Sequence, residues 1–225
     1  MHPIRIAPSL LACDFARLAD EVAMVEAAGA DWLHLDVMDG HFVPNLTLGP
    51  PVVAAIKKVA SKPLDVHLMI SDPWKYADAF LDAGADILTF HVEVADCGDP
   101  AALIAKIKAR GARAGMAINP DGDVGALAPY LKELDMVLVM SVFPGFGGQK
   151  FMPEVLASVT RLRSEFDFQG EIEMDGGIDC ATVDSCARAG TNVFVAGTAI
   201  FGASDVPARI EDLRELASSA RSTLQ

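Results

Sequence analysis

A short phrase recurs along this chain and does most to restrict how it can fold. Residues 27–36 read AAGADWLHLD, residues 82–91 DAGADILTFH and residues 188–197 RAGTNVFVAG, with ARGARAGMAI at 109–118 a looser copy. Each passes from an alanine-rich helical end, through a glycine and a short polar step, into an apolar strand. Glycine after a helix supplies a left-handed cap that alanine adopts only at a cost. The strands are rich in Val, Ile and Leu, as expected for a sheet covered on both faces.

Extended over the 225 residues, the pattern predicts eight strand-then-helix units, with strands near 4–8, 32–36, 64–68, 86–91, 113–118, 136–141, 171–175 and 193–196. Helical patterns follow at 14–28, 50–60, 73–82, 100–109, 152–166, 180–189 and 207–219. The fifth unit has only a broken pattern around 123–133, with Pro129 inside it. This alternation implies a parallel sheet with right-handed crossovers. Eight units in this length suit an α/β fold of one domain over 1–225, a (β/α)8 TIM barrel. An open doubly wound sheet is the alternative, but its first turn is normally glycine-rich and here reads PSLLACDF. No composition shift or Pro/Gly/Ser linker marks a domain boundary.

Composition narrows the partners. Hydrophobic residues make up 52% of the chain, enough for a sizeable core, and the net charge is −13. No basic stripe is present, which argues against nucleic acid, and an anionic membrane surface would repel the protein. A small anionic substrate would need local backbone or cationic donors. Cys13, Cys97, Cys180 and Cys186 show no CxxC spacing and read as free thiols in a reducing compartment. The N-terminal MHPIRIAPSLLACDF lacks a signal-peptide layout, and no run is long enough to span a bilayer. A cytoplasmic protein is therefore expected; a processed organelle protein would read the same.

In a barrel, reacting groups gather at the C-terminal ends of strands and in the loops that follow. Those ends read Ser9, His34-Leu35-Asp36, His67-Leu68-Met69, His91, Asn119, Met140-Ser141, Asp175-Gly176-Gly177 and Gly197-Thr198. Strand side chains alternate, so His34 and Asp36 share a face. With His67 and Asp175 they form a mixed nitrogen and oxygen set suited to Zn²⁺, Mn²⁺, Fe²⁺ or Co²⁺. A hydrogen-bonded structural role is the alternative for any one histidine. Asp65 and Glu173 share faces with His67 and Asp175 one layer deeper, and read as supporting partners or core polar pairs. His91 reads equally as a pocket wall or a structural histidine; His2 and His41 have no supporting context. Asp39-Gly40 reads as the exit turn of the second strand.

Three glycine-bearing loops follow the last three strands: PGFGGQKF at 144–151, DGGID at 175–179 and AGTAIF at 196–201. Glycine lets backbone N–H groups approach an anion, and barrels often hold phosphate after strands seven and eight. Pro144, Gly145, Phe146, Gly147 and Gly148 form the longest such stretch, readable as a mobile lid or a rigid turn. Met38, Met69 and Met140 sit at or just past three strand ends. They either fill the core or cap a reacting carbon.

Together, IAPSLLACDF, DWLHLDVMDGHFVPNLTLGPPVV, PLDVHLMI, MSVFPGFGGQKF, EMDGGID and VAGTAIF closely resemble the ribulose-phosphate 3-epimerase family, from about residue 4 to residue 215. The resemblance implies a (β/α)8 barrel that interconverts D-ribulose 5-phosphate and D-xylulose 5-phosphate. It implies one divalent metal ion per subunit on His34, Asp36, His67 and Asp175, with Asp36 and Asp175 as the acid/base pair. Proton transfer at C3 would then run through a metal-stabilised enediolate. It further implies that Ser9, His67, Gly145, Phe146, Gly147, Gly148, Asp175, Gly176, Gly177, Gly197 and Thr198 bind the sugar phosphate. A homo-oligomer is expected, with no surface signature that sets its size.

Departures are mild: LACDF stands where many relatives have LSADF, and Gly197-Thr198 where many have Gly-Ser. D-allulose-6-phosphate 3-epimerase shares the chemistry and stays open as an alternative. Decarboxylase and aldol-type phosphate barrels use an Asp-x-Lys-x-x-Asp array, and Asp36-Val37-Met38-Asp39 lacks the lysine. More distant readings are a metal-dependent hydrolase and a non-catalytic sugar-phosphate-binding barrel.

Overall fold

In the computed structural model, which describes residues 2–222, strands and helices alternate along the chain. The strands are β1 (Arg5–Pro8), β2 (Leu33–Met38), β3 (Leu64–Met69), β4 (Ile87–His91), β5 (Arg113–Ile118), β6 (Met136–Met140), β7 (Glu171–Asp175) and β8 (Val193–Ala196). The helices are α1 (Leu18–Ala27), α2 (Pro50–Lys57), α3 (Pro73–Asp82), α4 (Pro100–Ala109), α5 (Leu156–Ser164), α6 (Val183–Ala189), α7 (Thr198–Phe201) and α8 (Val206–Ser222). All strand pairs are parallel, in the order β1-β8-β7-β6-β5-β4-β3-β2. The two end strands meet through a parallel bridge between Ser9 and His34, so the sheet curls into a nearly closed (β/α)8 barrel. A doubly wound sheet would bury β1 in its middle; here β1 lies at the seam.

The repeated phrase has two mechanical jobs. Its glycines, Gly29, Gly84, Gly111 and Gly190, take φ of 98°, 101°, 81° and 121° just past α1, α3, α4 and α6, the left-handed turn that points the chain back into the sheet. In its three close copies the polar step clasps a neighbouring strand, and Asp135 ahead of β6 does the same outside the phrase. Asp31 Oδ2 accepts the Ile6 N–H at 2.8 Å, Asp86 Oδ2 that of Leu64 at 2.7 Å, Asp135 Oδ2 that of Ala114 at 2.9 Å and Asn192 Oδ1 that of Ile172 at 2.9 Å. Each acceptor stands just ahead of an even-numbered strand and holds the start of the odd strand before it. Backbone N–H groups at strand starts, otherwise short of partners, are thereby satisfied.

Helix starts follow ordinary capping chemistry. Asp72 and Asp99 accept the N–H groups of Lys75 and Ala102, and each is followed by a proline at the first helical position. The observed spans differ from the expected ones at several element ends, while the fifth unit is as broken as its pattern suggested. β2 runs two residues further, to Met38. The fifth unit holds only a 3-10 turn, Val124–Leu127, ahead of Pro129, whose ring nitrogen has no N–H to extend a helix. The short helix α7 was not anticipated.

The barrel interior is graded from end to end. Where the strands begin, Trp32 lies 5.0 Å and 5.2 Å from the guanidinium carbons of Arg5 and Arg113, and both arginines pair with the buried Glu171. Ala7, Ile87, Met136, Val193 and Val195 pack with Trp32 as an apolar plug. Toward the strands' C-terminal ends the lining turns polar, with His34, Asp36, Asp65, His67, Thr89, His91 and Glu173 all buried. Buried polar groups at this density are costly unless they are hydrogen-bonded, charge-paired or coordinate a metal.

Candidate active site

The strand register assembles the polar cluster. β2 and β3 run side by side with His34 opposite Asp65, Asp36 opposite His67 and Met38 opposite Met69. Asp175 stands across the barrel on β7, paired in register with Met140. One donor atom from each of His34, Asp36, His67 and Asp175 lies within 4.8 Å of the others. The structure thus brings together the four residues singled out from the sequence.

His34 and Asp36 are held by bonds from neighbouring side chains. His34 Nδ1 lies 2.6 Å from Asp65 Oδ2 and 3.6 Å from Glu173 Oε1. Its Nε2 is buried without a hydrogen-bond partner, 3.3 Å from Asp36 Oδ1 and 4.0 Å from Asp175 Oδ2. His67 Nδ1 also faces Asp36 Oδ1 at 3.3 Å, and Ser9 Oγ donates to Asp36 Oδ2 at 2.7 Å. An orphaned imidazole nitrogen among two carboxylates and a second imidazole fits a divalent metal. Asp65 and Glu173, which share strand faces with His67 and Asp175, both approach His34, the supporting or core-pairing role their depth suggested.

The two carboxylates are in opposite electrostatic states. Burial alone would raise Asp36, but the charge and hydrogen bond of His34, aided by His67, hold it well below the usual carboxylate range. Asp175 is pushed up to about 7, first by burial and then by the negative charge of Asp36. Burial would lower His34, yet Asp36 and Asp65 raise it well above its ordinary value. His67 is lowered to about 4 by burial, despite its bond to Asp36. Carboxyl groups pushed apart in this way suit opposite roles in proton transfer.

Asp36 and Asp175 open onto a cavity of about 640 Å³, within the range of small-ligand sites. Ser9, Met38, Met69, Met140, Gly145, Phe146, Gly147, Gly148, Gly176, Gly177, Gly197 and Thr198 line it. The glycines after β7 are required by space as well as by conformation. Gly176 has φ 121°, and a Cβ there would come 2.6 Å from Val142 Cγ2. Ser141 Oγ fixes this turn by donating to the carbonyls of Asp175 at 2.9 Å and Gly176 at 2.7 Å.

The loop after β6 lines the cavity, with Phe146 56% exposed. It is tied down at two points. Gln149 Nε2 donates to the carbonyls of Phe143 and Phe146, and Asn45 Nδ2 donates to that of Gly145 at 2.8 Å. The exit turn of β2 is likewise built by Asp39, which accepts N–H groups from His41, Phe42 and Ser71 and the Ser71 hydroxyl.

Several residues escaped the sequence reading. Arg209 and Lys150 line the cavity and bring positive charge that composition alone did not locate. His91 is fully buried and bonded to His67, rather than lining the cavity. Its partner Glu93 had no separate signal beyond its place two residues after a strand-end histidine. His2 and His41 lie outside the cluster. No described helix is long and apolar enough to cross a membrane, and no disulfide joins the cysteines among the described residues.

Comparison with known proteins agrees with this geometry. Over 219 aligned residues the chain is 49% identical to the ribulose-phosphate 3-epimerase of Mycobacterium tuberculosis H37Rv, covering 96% of this chain and 93% of that protein. It is 46% identical to the enzyme of the same name from Bacillus subtilis 168, covering 94% and 98%. Among solved structures, the 3-hexulose-6-phosphate synthase from Salmonella typhimurium superposes with a TM-score of 0.65 at 20% identity, over 96% of this chain and 100% of that one, a likeness of fold. The model of the ribulose-phosphate 3 epimerase family matches residues 5–201, and the chain belongs to that family.

Proposed function

We propose that this protein interconverts D-ribulose 5-phosphate and D-xylulose 5-phosphate by moving a proton at C3. The observation that carries the reading is the placement of Asp36 and Asp175, on β2 and β7, at one cavity in a chain of this family. Inverting a carbinol carbon beside a ketone means removing a proton from one face and returning one to the other. One carboxylate of the pair takes the C3 proton while the other, protonated, delivers to the opposite face of the same carbon; the roles exchange in the reverse direction. Ser9 orients Asp36 through its hydroxyl bond.

His34, Asp36, His67 and Asp175 would hold one divalent ion, Zn, Fe, Mn or Co. Bound there, the ion would supply Lewis-acid stabilisation of negative charge on the substrate's C2 and C3 oxygens.

The phosphate would sit against Gly176-Gly177 and Gly197-Thr198, where glycine backbone and the first N–H groups of α7 are available to an anion. Arg209 at the cavity wall would supply a local positive charge in a chain whose net charge is −13. Met38, Met69 and Met140 would cap the reacting carbon with an apolar surface, and Phe146 on its loop would exclude water. A cytoplasmic location and a homo-oligomeric assembly complete the proposal; a rice relative, 46% identical, is named as a cytoplasmic isoform.

A coupled assay on metal-defined protein tests the reading. Turnover of D-ribulose 5-phosphate well above that of D-allulose 6-phosphate, lost on chelation and restored by metal, is expected. Preference for the allulose ester would overturn the substrate, and ligand binding without turnover of either would overturn the reaction.

A further inference from the structure

An imidazole can bind a metal only through a nitrogen that carries no proton, so something must decide where the ring's proton sits. For His34 the decision is made by Asp65. For His67 it passes through a second imidazole. His67 Nε2 lies 2.8 Å from His91 Nε2, with both rings buried and their centroids 5.0 Å apart. Nitrogens that close must share one proton, so one ring donates and the other accepts.

Glu93 settles the direction. Its Oε1 accepts the Asn119 backbone N–H at 2.6 Å, and its Oε2 faces His91 Nδ1 at 3.0 Å. A carboxylate oxygen accepts, so His91 carries its proton on Nδ1 and offers a lone pair at Nε2. His67 must then donate from Nε2, which leaves its Nδ1 lone pair on the side of Asp36, 3.3 Å away. The His91 ring is also gripped by Phe42, centroids 4.7 Å apart, and the Phe42 backbone N–H is tied to Asp39.

We propose that His91 and Glu93 are positioning residues that set the tautomer of His67, so that Nδ1 is presented to the metal. The inference rests on the metal reading of the four-residue cluster given above. The opposite tautomer would point an N–H at the metal position and could not ligate. Loss of such a supporting bond typically weakens metal binding ~10–100-fold.

The test is zinc affinity of metal-stripped, full-length protein, measured by competition with a chromogenic chelator. His91→Leu removes the acceptor and should bind zinc ~10–100-fold more weakly than wild type. His91→Gln places an amide oxygen where His91 Nε2 stood, and should recover most of that loss. Glu93→Ala frees His91 to turn its proton around and should weaken binding in the same direction. Nitrogen-15 spectra of zinc-loaded wild type should show the His67 proton on Nε2, a readout that needs no variant to fold. Equal zinc affinity in wild type, His91→Leu and Glu93→Ala, or a proton on His67 Nδ1, would overturn the proposal while leaving the metal reading intact. A wild type that binds no divalent metal would overturn both.

Discussion

His34 Nδ1 is bonded to Asp65 Oδ2 at 2.6 Å, and that bond leaves Nε2 bare in front of Asp36 and Asp175. The buried acid therefore fixes which face of the ring is offered to the cavity side. Asp65→Ala should lower zinc affinity ~10–100-fold, whereas Asp65→Asn, which keeps an acceptor oxygen, should lose less. Chelator competition on folded protein, checked by circular dichroism, measures both. Equal affinity in wild type and Asp65→Ala would contradict this role.

Gly176 ties Asp175 to the cavity. A Cβ at φ 121° would strain the backbone and meet Val142 at 2.6 Å. Gly176→Ala should destabilise the fold by ~2–4 kcal/mol in urea unfolding. Because the turn carries Asp175, kcat should fall as well.

The opposite end of the barrel should separate stability from activity. Asn192 is buried, accepts the Ile172 N–H at 2.9 Å and sits where the strands begin, away from the cavity. Asn192→Ala leaves that N–H unpaired and should cost ~1–3 kcal/mol. Urea unfolding should register the loss while kcat/KM stays at the wild-type value.

Asp39 gives a pH signature. Burial would raise its carboxyl, but bonds from Ser71, His41 and Phe42 lower it to about 2. A depressed acid stabilises the fold above its unfolded pKa of about 4 and loses that contribution as pH falls through its folded value. Asp39→Asn should therefore be less stable than wild type at pH 7, by about 1 kcal/mol once solvent screening is allowed for. The gap should shrink between about pH 4 and pH 2. Urea midpoints across that range measure it; a gap that stays constant would contradict the assignment.

Much of this was legible in the sequence, and the reasons are specific. The glycine-and-polar phrase located the strands because its glycines turn left-handed and, at Asp31, Asp86 and Asn192, its polar step clasps a strand start. Period-two alternation put His34 and Asp36 on one face. The same alternation put Asp65 beneath His67, but it cannot supply the offset between neighbouring strands. Only the pairing of β2 with β3 sets His34 beside Asp65 and Asp36 beside His67. His91 was ambiguous for the same reason. Whether a strand-end ring faces the cavity or its neighbour depends on β3 pairing with β4, where His67 opposes Thr89 and His91 lies two residues beyond. The helix α7, Thr198–Phe201, is barely a turn long and leaves no periodic signal.

The central claim is that Asp36 and Asp175 exchange the C3 proton of the sugar phosphate from opposite faces. Solvent deuterium entering C3 of D-ribulose 5-phosphate, followed by proton NMR with metal-loaded protein, tests it most directly. Wild type should incorporate deuterium as it forms D-xylulose 5-phosphate, and folded Asp36→Asn and Asp175→Asn should each abolish that exchange. Full exchange in either variant would contradict the two-carboxylate account.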